Sequence, residues 1–152
     1  MKMLKKLMAV MLTLVLVLAF VGCQKDYISE EKAEEFLTKA AEIEEYSEIK
    51  NKNTITQADI NIESYNIFLK WDALLNEIYT YLSENMKEED FATLEKDELL
   101  WIAEKDAAIE EEAKYWEGGS GEAMVRNVTA SSYTKDRCYY LISIVQGEKF
   151  PE

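Results

Sequence analysis

Residues that reverse a chain are almost missing here: five Gly and one Pro are spread over 152 residues. A many-stranded β protein needs frequent turns and draws on Gly and Pro to make them, so that class is excluded. Disorder is excluded as well, because 48% of the residues are hydrophobic and disordered chains are poor in apolar side chains. What remains is long helices joined by few turns, in a chain with room for one ordinary domain. No segment alternates with period two over strand length, whereas apolar residues recur at helical spacing. The expected fold is an all-α antiparallel bundle of three to four helices.

Caps and breaks place the helices. Ser29 followed by Glu30 and Glu31 is an N-cap with acids in the first turn. Ala33, Phe36, Leu37, Ala40, Ile43 and Ser47 then form a thin stripe, so this acidic first helix is expected to pack loosely or to serve as a stalk. After the polar break Lys50 to Asn53, Thr56-Gln57-Ala58-Asp59 has the form of a capping box. It opens a second helix, to about Asn85, with two apolar faces. One face carries Tyr65, Phe68, Asp72, Leu75, Tyr79 and Leu82; the other carries Ile60, Ile67, Trp71, Leu74, Ile78 and Tyr81. Such a helix is central, or is covered by the first. The third helix is expected from about Asp90 to Trp116, with Phe91, Leu94, Trp101, Ile102, Ile109 and Trp116 in the core. Gly118-Gly119-Ser120-Gly121 stops it. A fourth runs from about Glu122 to Gln146, with Ala123, Ala130, Thr134, Cys138, Leu141 and Val145 on one stripe.

Ahead of the bundle, Lys2, Lys5 and Lys6 precede an apolar run from Leu7 to Val21 broken only by Thr13. This pattern reads as a secretory signal peptide, and the run falls short of the ~20 residues a spanning helix needs. It ends in Gly22-Cys23, and a small residue directly before Cys resembles a bacterial lipobox, with Phe20 where Leu is usual. On that reading residues 1–22 are the signal peptide and Cys23 is the lipidated first residue of the mature chain. An uncleaved anchor is the other reading, and both put the rest of the chain outside the cytoplasm. Cleavage removes three Lys and no acid, and takes the formal charge from −13 to −16.

Composition narrows the chemistry. The excess of acids argues against nucleic acid, which needs clustered Lys and Arg. Histidine is absent, which excludes Ser-His-Asp and Cys-His catalysis and His-ligated zinc. The acids form no EF-hand loop, so neither a metal nor a cofactor is expected. With Cys23 lipidated, Cys138 has no intrachain partner and reads as a small core residue.

Several polar residues sit where apolar ones belong. Asp72, Asn76 and Tyr79 share one face of the second helix with Leu75. Asp106 continues the Leu99–Ile102–Ile109 stripe, and Arg137 borders the Thr134–Leu141 stripe. An unpaired buried charge costs several kcal/mol. Arg137 is therefore expected to pair with Asp72 or Asp106, with Asn76 and Tyr79 completing a structural network. Paired carboxylates also suggest glycoside hydrolysis. Thirty acids bring such pairs together by chance, however, and a neighbouring Arg lowers a carboxyl pKa and spoils it as a general acid. No catalytic residue is assigned.

The same residues carry a family resemblance. Thr56-Gln57-Ala58-Asp59-Ile60-Asn61, Asp72-x-x-Leu75-Asn76-x-x-Tyr79, Trp101-Ile102-x-x-Lys105-Asp106, Gly118-Gly119-Ser120 and Tyr133-Thr134-x-x-Arg137 resemble, in order, the motifs of the LprI-type lysozyme inhibitor family. Lys105 stands where that family has Arg. The resemblance implies a helical domain over 55–147, preceded by a tether and acidic first helix over 23–54 and followed by a tail over 148–152. It also implies cysteines near the positions held by Glu63, Ile109 and Thr129, which this chain lacks; their absence suggests an envelope without strong oxidative folding.

The implied function is non-catalytic binding of a basic lysozyme, toward which the charge would steer the protein. Gly118, Gly119 and Ser120 form the candidate contact loop, since a Gly-rich loop lets backbone approach a cleft. The residues leave one alternative open: a non-catalytic envelope scaffold or binding module for another envelope protein.

Overall fold

The computed structural model describes residues 27–148. The expected signal peptide, Cys23 and residues 149–152 of the expected tail lie outside them. Four helices follow one another: α1 (Glu30–Asn53), α2 (Gln57–Asn85), α3 (Glu88–Ala113) and α4 (Glu122–Val145), with a 3-10 turn over Lys114–Trp116. The described residues include no strand, so the all-α bundle expected from a turn-poor sequence is borne out.

The caps act as expected. Ser29 Oγ accepts from the Lys32 amide at 3.2 Å, and Thr56 Oγ1 accepts from the Asp59 amide at 3.2 Å. The reversal between α2 and α3 uses no Gly. Met86 and Lys87 are both extended, with ψ of 158° and 147°, and the buried Met86 side chain pins the turn to the core.

The helices run up and down. The Ser29 amide donates to the Val145 carbonyl at 2.9 Å, so α1 begins where α4 ends. The turn after α3 lies at the opposite end, beside the start of α2. The other three helices all pack on α4, which buries Ala130, Thr134, Cys138, Leu141 and Val145 as its stripe predicts. Ala123, at the start of that stripe, is exposed.

Two expectations need correction. The first helix is no loose stalk: Ala33, Phe36, Ala40 and Ile43 are buried, and the Phe36 ring meets Tyr81 edge-on at 5.9 Å. Small Ala residues let α1 lie close to its neighbours, so a thin stripe suffices. The third helix, by contrast, buries little. Of its expected core, Leu94 is fully buried, whereas Ile102 and Trp116 are 40% and 49% exposed. Because α3 rests chiefly on α4, only a narrow stripe is covered. At Lys114 the helix tightens to 3-10 geometry, and the changed rotation per residue carries Trp116 off that stripe.

Candidate functional site

Arg137 is buried and grips two neighbouring carboxylates of α3. Its Nε donates to Glu98 Oε1 at 2.8 Å and its Nη2 to Asp97 Oδ2 at 2.5 Å. The guanidinium lies over the Tyr140 ring at 4.7 Å and the Trp101 ring at 5.5 Å. Arg137 thus pairs, but with neither Asp72 nor Asp106. The covered stripe of α3 contains Leu94 and Glu98, and Asp106 falls outside it: its side chain is 66% exposed, beside Lys105. Asp72 accepts from Asn76 Nδ2 at 3.2 Å, and the same nitrogen donates to the Asp72 carbonyl at 2.8 Å. Tyr79 packs on Phe91, ring centroids 5.2 Å apart. Burial pushes the Glu98 carboxyl above its ordinary range, and Arg137 opposes that shift without reversing it.

Asp72, Asn76 and Tyr79 nevertheless lie near this pair. α2 and α3 both rest on α4 and touch each other far less, as at Tyr79 and Phe91. Between them runs a groove of about 320 Å³. Asp72, Leu75, Asn76 and Tyr79 form one wall; Glu95, Glu98, Trp101, Ile102 and Lys105 form the other.

The glycine turn lies about three helical turns away along α2. Gly118 has φ of +72°, a conformation that favours glycine. Its amide donates to Glu122 Oε2 at 3.0 Å, Glu122 Oε1 accepts from Arg126 Nε at 3.0 Å, and Arg126 Nη1 reaches Glu110 at 2.6 Å. From α2, Asn61 Nδ2 donates to the Ser120 carbonyl at 2.9 Å, and Gln57 Nε2 fixes Asn61 Oδ1 at 2.9 Å. A loop bonded from both sides is pre-organised. Gly118, Gly119 and Ser120 are exposed at its tip. Tyr115, 83% exposed, and Trp116 flank it. Helical spacing missed Tyr115 altogether and assigned Trp116 to the core, since neither residue obeys the α-helical phase once the 3-10 turn begins.

The Cys138 thiol is buried, lies 3.5 Å from the Trp71 carbonyl, and is pushed up to about 12 by burial, so it is a poor nucleophile. Among the described residues, no three acids or thiols gather as a metal site, and no helix is long and apolar enough to cross a membrane.

A helical bundle with a braced loop at one end and an acidic, apolar-walled groove on its flank has the build of a binding module. The family model for lysozyme inhibitor LprI matches residues 48–141, more than half of the chain, and the chain belongs to that family. No curated protein and no solved structure matches it. The motifs that carry the resemblance gather in two places. Those at 56–61 and 118–120 meet at the loop, whereas those at 72–79 and 101–106 meet at the groove, with Arg137 behind it.

Proposed function

We propose that this protein is a lipid-anchored, extracytoplasmic member of its family that binds a basic lysozyme directly and inhibits it, with Gly118, Gly119 and Ser120 in the contact. The observation that carries this reading is the braced loop with Tyr115 beside it. Exposed Tyr and Trp are the side chains that most often dominate a protein interface, and a pre-ordered loop loses little entropy on entering a cleft. The net charge of −13 favours encounter with a cationic enzyme.

Polarity supports the same reading. Cys23 precedes Ser29 by six positions in the sequence, and Ser29 lies at the end of the bundle opposite the loop. A lipid on Cys23 would leave the loop at the far end of the 24-residue α4, about 36 Å along the helix axis.

Lysozyme activity is to be measured with and without residues 24–152, which keep the whole described core, at low and at physiological salt. Inhibition that persists at physiological salt is expected. Tyr115→Ala should weaken it by roughly 30-fold, the effect of an interface hot spot. Inhibition confined to low salt would mean charge attraction alone. Its absence at both salts would leave an envelope-binding module with a different target.

A further inference from the structure

The groove between α2 and α3 invites a second question, because its charge is not balanced by its own cations. Arg137 is committed to Asp97 and Glu98. Lys105 lies over the Trp101 ring at 5.0 Å and beside Asp106 at 4.0 Å. Neither cation is paired with Asp72 or Glu95. Asp72 is held by Asn76, and among the described residues no cation pairs with Glu95. The groove therefore keeps two carboxylates without a cation, Asp72 on the α2 wall and Glu95 on the α3 wall.

Its walls are not those of a solvated acidic surface. Leu75 is buried at the base of one wall, and Trp101 is half-buried in the other. On the rim, Leu99 is 64% exposed and Ile102 40%. Adjacent large apolar side chains on the open edge of an acidic groove form the kind of patch that marks an interaction site. Carboxylates between such walls favour a basic segment with apolar neighbours, its positive charge drawn to Asp72 and Glu95 and its apolar atoms to Trp101 and Tyr79. A second copy of this chain, with a charge of −13, is repelled.

We propose that the α2–α3 groove docks a basic segment of a partner protein, Arg or Lys flanked by apolar residues, with its positive charge drawn to Asp72 and Glu95. The site is distinct from the loop and does not depend on lysozyme being the target.

The test uses a fluorescent synthetic peptide of alternating Leu and Arg, read by anisotropy against the lipid-free mature chain at physiological salt. Saturable one-to-one binding is expected. Asp72→Asn with Glu95→Gln should weaken it at least about tenfold, the effect of losing close charge pairs. Leu99→Ser, at an exposed position, should weaken it several-fold, and a Gly–Arg peptide of equal charge should bind worse than the Leu–Arg one. The control is Glu42→Gln with Glu45→Gln on α1, exposed residues whose replacement changes the net charge equally. Equal weakening by the groove pair and the α1 pair would reduce the effect to bulk charge and overturn the proposal. So would affinity unmoved by both the groove pair and Leu99→Ser. Circular dichroism melts of each variant separate lost binding from lost fold.

Discussion

Arg137→Ala should be the most damaging single change among the charged residues of this bundle. Arg137 holds two carboxylates, and removing it affects them differently. The Asp97 side chain is 38% exposed and regains water at small cost. The Glu98 side chain is 10% exposed and is left without its cation. Removing one partner of a buried pair costs about 3–5 kcal/mol, and the ring contacts with Tyr140 and Trp101 are lost as well. For a domain of this size the melting temperature should fall by roughly 10–15 °C.

The loss should also depend on pH. Burial already holds the Glu98 carboxyl above its ordinary value against the pull of Arg137. Without the Arg, the folded-state pKa rises further above the unfolded one. A folded state that holds a proton more tightly gains stability as the pH falls through its own pKa, so the deficit should shrink between neutral pH and about pH 5. The assay is thermal melting by circular dichroism at both pH values. Arg137→Met combined with Glu98→Leu removes the charge problem and should recover most of the loss. An Arg137→Ala melt within about 3 °C of the parent at neutral pH, or a deficit that does not shrink in acid, would refute the reasoning.

Two further outcomes follow from the core. Phe36→Ala should destabilise by about 3–5 kcal/mol in a denaturant titration, because Phe36 is fully buried; a loss below about 1 kcal/mol would return α1 to the role of a stalk. In a Cys23→Ser form, Cys138 should resist thiol reagents until denaturant is added, given its burial and raised pKa; prompt labelling of the folded protein would contradict its place in the core.

The helices were legible because their ends are written locally. Ser29, Thr56 and Gly118 each announce a boundary through a side chain or a backbone preference that needs no tertiary context. The α4 stripe from Ala130 to Val145 was legible for a similar reason, since a helix touched on several sides is apolar wherever it is touched. α3 resisted the same treatment. Its covered stripe holds Glu98, and the neighbouring apolar positions Leu99 and Ile102 point outward. A reading that follows apolar residues therefore turns the helix slightly and brings Asp106, rather than Glu98, toward Arg137. The need of Arg137 for a partner follows from its position alone, but the identity of that partner depends on how α3 is rotated against α4. The motifs at 72–79 and 101–106 were visible as spacing; the groove between them was not, because it exists only where two helices fail to meet.

The backbone bond from Ser29 to Val145 closes the bundle into something near a ring. A linker of a few residues between 148 and 27 would add little loop entropy. The chain can be opened at exposed Lys87 without cutting a helix. A permuted order, α3-α4-α1-α2, keeps every contact that each helix makes with α4. The order of the helices along the chain should therefore be incidental to this fold, and a permutant that regains the parent helix content and melting behaviour would bear that out.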